Sequence, residues 1–313
     1  MDLQLLKNTK PFGQILALLL IILGLGVFIS LLGILISSIF IDGNIIERLQ
    51  TVTAMEYADD LWLMKISQVF SQLGVFVFPA FLFAFLVNKH VFAFLKLDEI
   101  PKIPLTLLSL LIIISALPLS DWLIYNNNLI NLPESLAEVE LWMRKAEEKA
   151  AFMTNLFLQM DSWSDYFMNI IMIGILAAVG EELILRGILQ PIFIKLTKNA
   201  HIGIIITAFI FSFIHFQFYG FFARFFMGVI LGYLFYYTNN LWIPIIVHFF
   251  NNASAVSYVF FTDTPLNSTN LDSMTLEESG NMYAFISMLL VVAGLFVLKY
   301  YSHRLNQFET KIP

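Results

Sequence analysis

A cluster of three charged residues, Glu181, Glu182 and Arg186, stands within an otherwise apolar stretch of the sequence. In a helix, Glu182 and Arg186 share one face four residues apart, with the glutamate on the favourable amino-terminal side for an ion pair. Glu181 lies about 100° round the helix from Glu182. The spacing therefore predicts an ion pair and leaves a second carboxylate that points elsewhere. An ion pair that only locks helices together would explain Glu182 and Arg186, but not Glu181.

Two histidines follow this cluster, and each is four residues from a second side chain on the same helix face. Phe211 precedes His215, and His248 precedes Asn252. A lone histidine in an apolar helix usually makes a hydrogen bond between helices. Two histidines on helices that adjoin a double glutamate instead favour a catalytic site.

The turns between these helices decide whether the groups meet. Glu181 and His215 are equally distant from Lys198 along the chain, so a turn there would hold them at a similar depth in antiparallel helices. The next turn is predicted at Asn239–Asn240. His248 is closer to this turn along the chain than Glu181 and His215 are to Lys198. Reaching the same depth requires a tilted helix or an interfacial run of the preceding helix, and the sequence leaves both open.

The composition is that of a membrane protein with many crossings. Of 313 residues, 59% are hydrophobic and 13% are charged, and the mean hydropathy is +0.80, whereas soluble proteins carry about 25% charged residues. A disordered chain is excluded as well, because disorder requires low hydrophobicity and high charge. The net charge of −6 without a basic stripe argues against nucleic-acid binding, and the lack of cysteine excludes disulfides and thiolate chemistry. We predict an all-α polytopic fold, since the alternation of a barrel is missing.

Eight apolar runs are long enough to cross a bilayer as helices. They cover residues 13–41, 66–88, 103–125, 166–190, 202–218, 221–238, 242–261 and 281–301. Basic residues fall in the amino terminus, residues 89–102, residues 195–201 and the tail, whereas residues 43–65 and 262–280 are acidic. The positive-inside rule then predicts both termini in the cytosol, in a multi-pass protein of the plasma membrane.

Residues 133–160 form the one long polar segment between the apolar runs, and it is rich in Glu, Lys, Ala and Leu. The pattern predicts an amphipathic helix on the outer face, with Trp142 as an interface anchor. This helix is either a solvated surface element or a lid over a membrane cavity. The chain then divides into amino-terminal helices with this segment (residues 1–165), a catalytic core (residues 166–261), and a last helix with a tail (residues 281–313).

The charged and polar pairs resemble the EExxxR, FxxxH and HxxxN motifs of the CPBP family (CAAX protease and bacteriocin processing, also called Abi), which includes relatives of the type II CAAX prenyl proteases. They stand in the family's order at residues 181–186, 211–215 and 248–252, and the likeness covers roughly residues 165–261. The resemblance implies an intramembrane endopeptidase with about eight helices around a conical cavity. Its partners would be a peptide or protein substrate and the lipid bilayer.

The same resemblance implies a role for each motif residue and favours no cofactor. The roles fall into three groups: water activation by Glu181 and His215, oxyanion stabilisation by His248 and Asn252, and support by Glu182, Arg186 and Phe211. The family has also been described as metalloproteases. In that alternative, zinc would be held by Glu181, His215 and His248.

Other chemistries find less support in the sequence. The HExxH zinc motif, the GxSxG nucleophile elbow and the membrane GxGD motif are absent from it. A proton- or ion-coupled carrier could use two membrane glutamates, but carriers usually show two related halves with matching interruptions. In this chain, the charged residues within apolar helices lie in only one half of the sequence. A third alternative is a non-enzymatic immunity or scaffold protein. The intact motifs argue against it.

Overall fold

The computed structural model describes residues 4–39, 44, 46–47, 61–264 and 276–309. Within these ranges the chain forms helices and turns and no strand, which confirms the predicted all-α membrane fold. The acidic connections on which the predicted topology depends lie largely outside the described residues. The helices in chain order are α1 (Pro11–Ile39), α2 (Leu61–Gln72), α3 (Phe78–Val87), α4 (Val91–Phe94), α5 (Ile103–Asn128), α6 (Ala137–Phe157), α7 (Trp163–Asn169), α8 (Ala177–Glu182), α9 (Gln190–Thr197), α10 (Ala200–Phe213), α11 (Phe221–Thr238), α12 (Trp242–Thr262) and α13 (Leu276–Glu309).

Three π-helical segments continue these helices without a break. The segment π1 (Leu73–Val77) joins α2 to α3, π2 (Ile170–Leu176) joins α7 to α8, and π3 (Leu183–Leu189) joins α8 to α9. The glutamate pair ends α8, directly between π2 and π3. Such segments widen a helix locally and are frequent at functional sites.

Seven helices of the described chain are long and apolar enough to cross a membrane: Pro11–Ile36, Met64–Val87, Ile103–Asn128, Trp163–Thr197, Phe221–Thr238, Trp242–Thr262 and Gly280–Leu305. The eighth prediction, over residues 202–218, is corrected in helix length. The chain there still leads from His201, beside Tyr233 near the end of α11, to Phe218, beside Asn127 and just before the start of α11. Helix α10 has 14 residues, about 21 Å of rise, which is short of a hydrocarbon core of about 30 Å. It ends early because Phe216 has a left-handed backbone (φ 51°) through which a right-handed helix cannot continue.

The turns of the bundle follow from local capping. Lys198 has a positive φ of 54° and ends α9, and the Asn199 side chain then accepts hydrogen bonds from the first backbone N–H groups of α10. Asn239 ends α11 in the same left-handed conformation. The turns predicted at these two places are therefore confirmed.

Two apolar clusters flank the helices that carry the motifs. One unites α1 and α3 with π3 and the start of α12, through residues such as Phe83, Leu183 and Leu241. The other unites α5 and α13 with α11 and α12, through residues such as Ile112 and Leu231. The motif helices are thus held between the amino-terminal helices on one side and the α5–α13 pair on the other.

The amphipathic helix predicted within residues 133–160 is confirmed as α6. Its exposed face carries an ion pair between Arg144 and Glu140, and the hydrogen bond from Arg144 holds the pKa of the Glu140 carboxyl below its usual value. The ring of Trp142 is half exposed and lies 5.2 Å from the ring of Phe218. The helix therefore contacts the turn that joins α10 to α11.

Candidate active site

The predicted ion pair is present and fully buried. Arg186 Nη1 donates to Glu182 Oε1 at 2.7 Å, and neither side chain is exposed. Arg186 Nη2 donates to the backbone carbonyl of Gly228 on α11 at 3.0 Å. The guanidinium also lies over the Phe211 ring, 4.9 Å from its centre.

These contacts hold Arg186 entirely inside the bundle. A second bond of the same kind follows one turn later, where Gln190 Nε2 donates to the carbonyl of Gly232 at 3.0 Å. Both glycines allow the close approach of α11, because a Cβ on Gly228 would lie 3.0 Å from Phe211 and one on Gly232 would lie 2.7 Å from Ile204. Arg186 therefore ties π3 to α11.

His248 joins the two glutamates from the neighbouring helix. Its Nδ1 lies 2.9 Å from Glu182 Oε1, so this nitrogen carries the proton and donates to the carboxylate. Its Nε2 faces Glu181 Oε2 at 3.9 Å, too far for a direct hydrogen bond. Glu182 therefore fixes both Arg186 and the orientation of the His248 ring.

Glu181 has fewer hydrogen-bond partners than Glu182. Its side chain is 13% exposed. Its Oε2 atom is buried and has no hydrogen-bond partner among the residues that the structure describes. The preceding Gly180 lies against π1, since a Cβ there would be 2.7 Å from Phe76 Cβ. The close approach of π1 therefore sets the position of the chain immediately before Glu181.

His215 follows the end of α10 and is partly buried. Its Nδ1 lies 2.7 Å from the carbonyl of Phe211, which can only accept, so Nδ1 is the donor. In a neutral ring, Nε2 then carries the lone pair, as a general base or a ligand requires. The charge of Glu181 acts on this ring, and so does that of Arg224 on α11.

Phe211 and Asn252 complete the set of motif residues. The Phe211 ring meets both histidines edge to face, at 5.2 Å from His215 and 5.8 Å from His248. Asn252 Nδ2 donates to the carbonyl of Ile173 in π2 at 3.0 Å. An amide nitrogen has two protons, so one donor of Asn252 holds π2 and a second remains for another acceptor.

The structure also shows how His248 reaches the same depth in the bundle as Glu182. Gly187 in π3 lies against Leu241, whose side chain would be 3.4 Å from a Cβ at that position. Helix α12 therefore begins beside π3 and not beside the end of α9. A short run from Leu241 is then enough to bring His248 to Glu182.

The zinc alternative requires three side chains that can reach one ion. Both histidines bind a protein acceptor through Nδ1, as zinc ligands commonly do. However, in the described ranges of the chain, no three His, Asp or Glu side chains come together as a metal site would require. The set Glu181, His215 and His248 is not an exception.

Sequence reasoning missed three partners of the motif residues. The bond between Glu182 and His248 and the bond from Arg186 to Gly228 both join separate helices, for which the sequence holds no direct signal. In the third case, Arg224 donates to the carbonyl of Gln217 in the turn that carries His215. Its position one turn into α11, near a histidine motif, was the available signal.

Comparison with protein families gives a match for part of the chain. Residues 163–254 match a family model described as type II CAAX prenyl endopeptidase Rce1-like. The match runs from the start of α7 into α12 and includes every motif residue. No curated protein and no solved structure matches the chain. The family resemblance drawn from the three motifs is thereby confirmed, and residues 163–254 are similar to the Rce1-like family.

Proposed function

We propose that this protein is an intramembrane endopeptidase that hydrolyses a peptide bond with water activated by Glu181 and His215. One observation carries the proposal. Of two adjacent glutamates, the buried Glu182 accepts from Arg186 and His248 through Oε1, although its Oε2 has no partner among the described residues. The partly exposed Glu181 has no such donor on Oε2, which faces the histidine of another helix. A carboxylate kept free in a largely apolar site is suited to proton transfer.

In the proposed reaction, the water oxygen attacks the scissile carbonyl while its proton passes to Glu181. His215 accepts a hydrogen bond from the same water through Nε2 and so orients it. The carbon–nitrogen bond of the tetrahedral intermediate then breaks, and the proton held by Glu181 passes to the leaving amine. Proton and electrons balance without a cofactor, and Glu181 returns to its starting state.

The oxyanion of the intermediate would be stabilised by His248 and Asn252. Because Nδ1 of His248 already donates to Glu182, a donor at Nε2 requires the doubly protonated ring. With both glutamates ionised, Arg186 balances one negative charge and this imidazolium balances the other, so the buried cluster is neutral. Asn252 contributes the amide proton that Ile173 leaves free.

We propose further that both termini lie in the cytosol and that the membrane is the plasma membrane. Aromatic rings cluster where α7 begins and α12 ends, around Trp163, Tyr166 and Phe260. They cluster again on α11 at Tyr233 and Tyr237. Such clusters mark membrane interfaces. The basic residues near the α9–α10 turn favour the cytosolic side for that second level.

The experiment is a peptidase assay of the full chain in detergent against a peptide library, with variants tested on whichever peptide is cleaved. Glu181→Gln and His215→Ala should each remove nearly all activity, and the double variant should lose no more than either, because both disable one step. Losing one oxyanion donor in His248→Ala or Asn252→Ala should lower kcat by roughly 10²–10³-fold.

The matched control is Asp121→Asn, the same change from carboxylate to amide in membrane helix α5, at a residue outside the three motifs. It should leave activity unchanged. Full activity in Glu181→Gln would refute the mechanism. A wild-type protein that cleaves nothing, while folded, would remove the peptidase assignment itself.

A further inference from the structure

The turn that carries His215, residues 214–220, has a strained backbone. Phe216 has a φ of 51° and an exposed side chain. A bulky residue in the left-handed region is uncommon and costs energy. Such conformations persist only where the surrounding structure determines them. The geometry of His215 therefore depends on what holds this turn from outside.

Two membrane helices hold the turn by its carbonyls. Asn127, in the last turn of α5, donates through Nδ2 to the carbonyl of Phe218 at 2.7 Å. Arg224 on α11 donates to the carbonyl of Gln217. Both bonds fix the later half of the turn from the membrane side.

The amphipathic helix α6 holds the same turn from the outer side. Glu147 Oε2 accepts a hydrogen bond from the backbone N–H of Tyr219 at 3.2 Å. The guanidinium of Arg144 lies 5.0 Å from the centre of the Tyr219 ring. Glu147 also attracts Arg224, so the carboxylate engages both the backbone of the turn and the cation that binds it. Glu147 is thus the α6 side chain that connects this helix to the polar contacts of the turn.

We propose that Glu147 is a positioning residue for His215. By holding the Tyr219 N–H and attracting Arg224, it keeps the strained turn in the conformation in which the charge of Glu181 acts on the His215 ring. The inference rests on the proposed function, because it assigns a catalytic purpose to the position of His215. Helix α6 then contributes to the reaction through a residue that never touches substrate.

The test compares Glu147→Ala with Glu147→Gln in the full chain in detergent. The alanine removes the acceptor of the Tyr219 N–H, whereas the glutamine keeps an acceptor oxygen of similar reach and loses the charge. Misplacing a catalytic group by about 1 Å costs on the order of 10²-fold in rate. We therefore expect Glu147→Ala to lower kcat by roughly 10- to 100-fold with little change in KM, and Glu147→Gln to restore much of it.

Hydrogen–deuterium exchange supplies a readout that is independent of activity. Peptides covering residues 214–220 should exchange faster in Glu147→Ala than in the wild type, and Glu147→Gln should lie between them. The control is Glu138→Ala, an exposed glutamate on the same helix, which should change neither exchange nor kcat.

The outcomes separate the two levels of the proposal. Unchanged exchange in Glu147→Ala would overturn the contact, and faster exchange with an unchanged kcat would overturn the positioning role. Equal loss of kcat in the alanine and glutamine variants would also count against it, since one of them keeps the hydrogen bond. If the wild type cleaves no peptide, the proposed function fails, while the exchange result still decides whether Glu147 holds the turn.

Discussion

Replacing Arg186 by methionine should destabilise the protein strongly, because one fully buried cation makes all of its contacts inside the bundle. Removing one partner of a buried ion pair costs about 3–5 kcal/mol, since the other charge is left uncompensated. Gly228 also loses the donor to its carbonyl, which costs about 1–3 kcal/mol for a buried group. His248 still donates to Glu182 and limits the loss, so we expect a total near the lower end of the sum.

Two double variants separate the stability of this pair from its role in the reaction. Arg186→Met with Glu182→Gln removes both charges but keeps an oxygen that can accept from His248 Nδ1. Arg186→Met with Glu182→Met removes that acceptor as well. Both should recover the part of the stability that the isolated charge removed, and both should keep the loss of about 1–3 kcal/mol at Gly228.

Activity should distinguish the two double variants where stability does not. The variant with Glu182→Gln keeps the His248 ring in its orientation, so it should cleave the peptide faster than the variant with Glu182→Met. Thermal unfolding in one detergent and kcat on one peptide measure the two quantities. Equal activity in the two double variants would refute the conclusion that Glu182 acts through His248. Stability as low in both as in Arg186→Met would refute the ion-pair argument.

The remaining predictions concern packing, topology and metal dependence. Gly180→Leu should lower both thermal stability and kcat, because even a Cβ there would be 2.7 Å from Phe76 Cβ, whereas Gly24→Leu, with no neighbour within 4 Å of such a Cβ, should lower neither. Reporter fusions after residues 50, 97, 273 and 313 should be outside, inside, outside and inside; a cytosolic result at 273 would contradict the topology. Chelation should leave kcat unchanged, and a stoichiometric zinc whose loss and return abolish and restore activity would replace the metal-free mechanism.

The sequence predicted contacts within one helix better than contacts between helices. Glu182 and Arg186 form the expected pair because four residues make about one helical turn, and that relation holds wherever the helix packs. The bond between Glu182 and His248 depends on the relative positions of α8 and α12. That position follows from the contact between Gly187 and Leu241, and neither residue has a polar side chain that would attract notice in a sequence.

Helix length was the other property that apolarity alone did not predict. Residues 202–218 are apolar enough for a crossing, yet α10 ends at Phe213. The cause is a backbone conformation at Phe216, a residue whose type gives no indication of a positive φ. The early end matters for function, because it releases His215 from the helix into a turn that side chains of α5, α6 and α11 can hold.

The contacts that shape the site extend beyond the residues that match the family. The match begins at residue 163, but Gly180 packs on Phe76, Gly187 lies against Leu95 as well as Leu241, and the turn of His215 is held by Asn127 and Glu147. The amino-terminal helices and α6 therefore set the distances on which the proposed reaction depends. Residues that perform chemistry can be recognised from a short segment, whereas the residues that position them are distributed over the chain that encloses it.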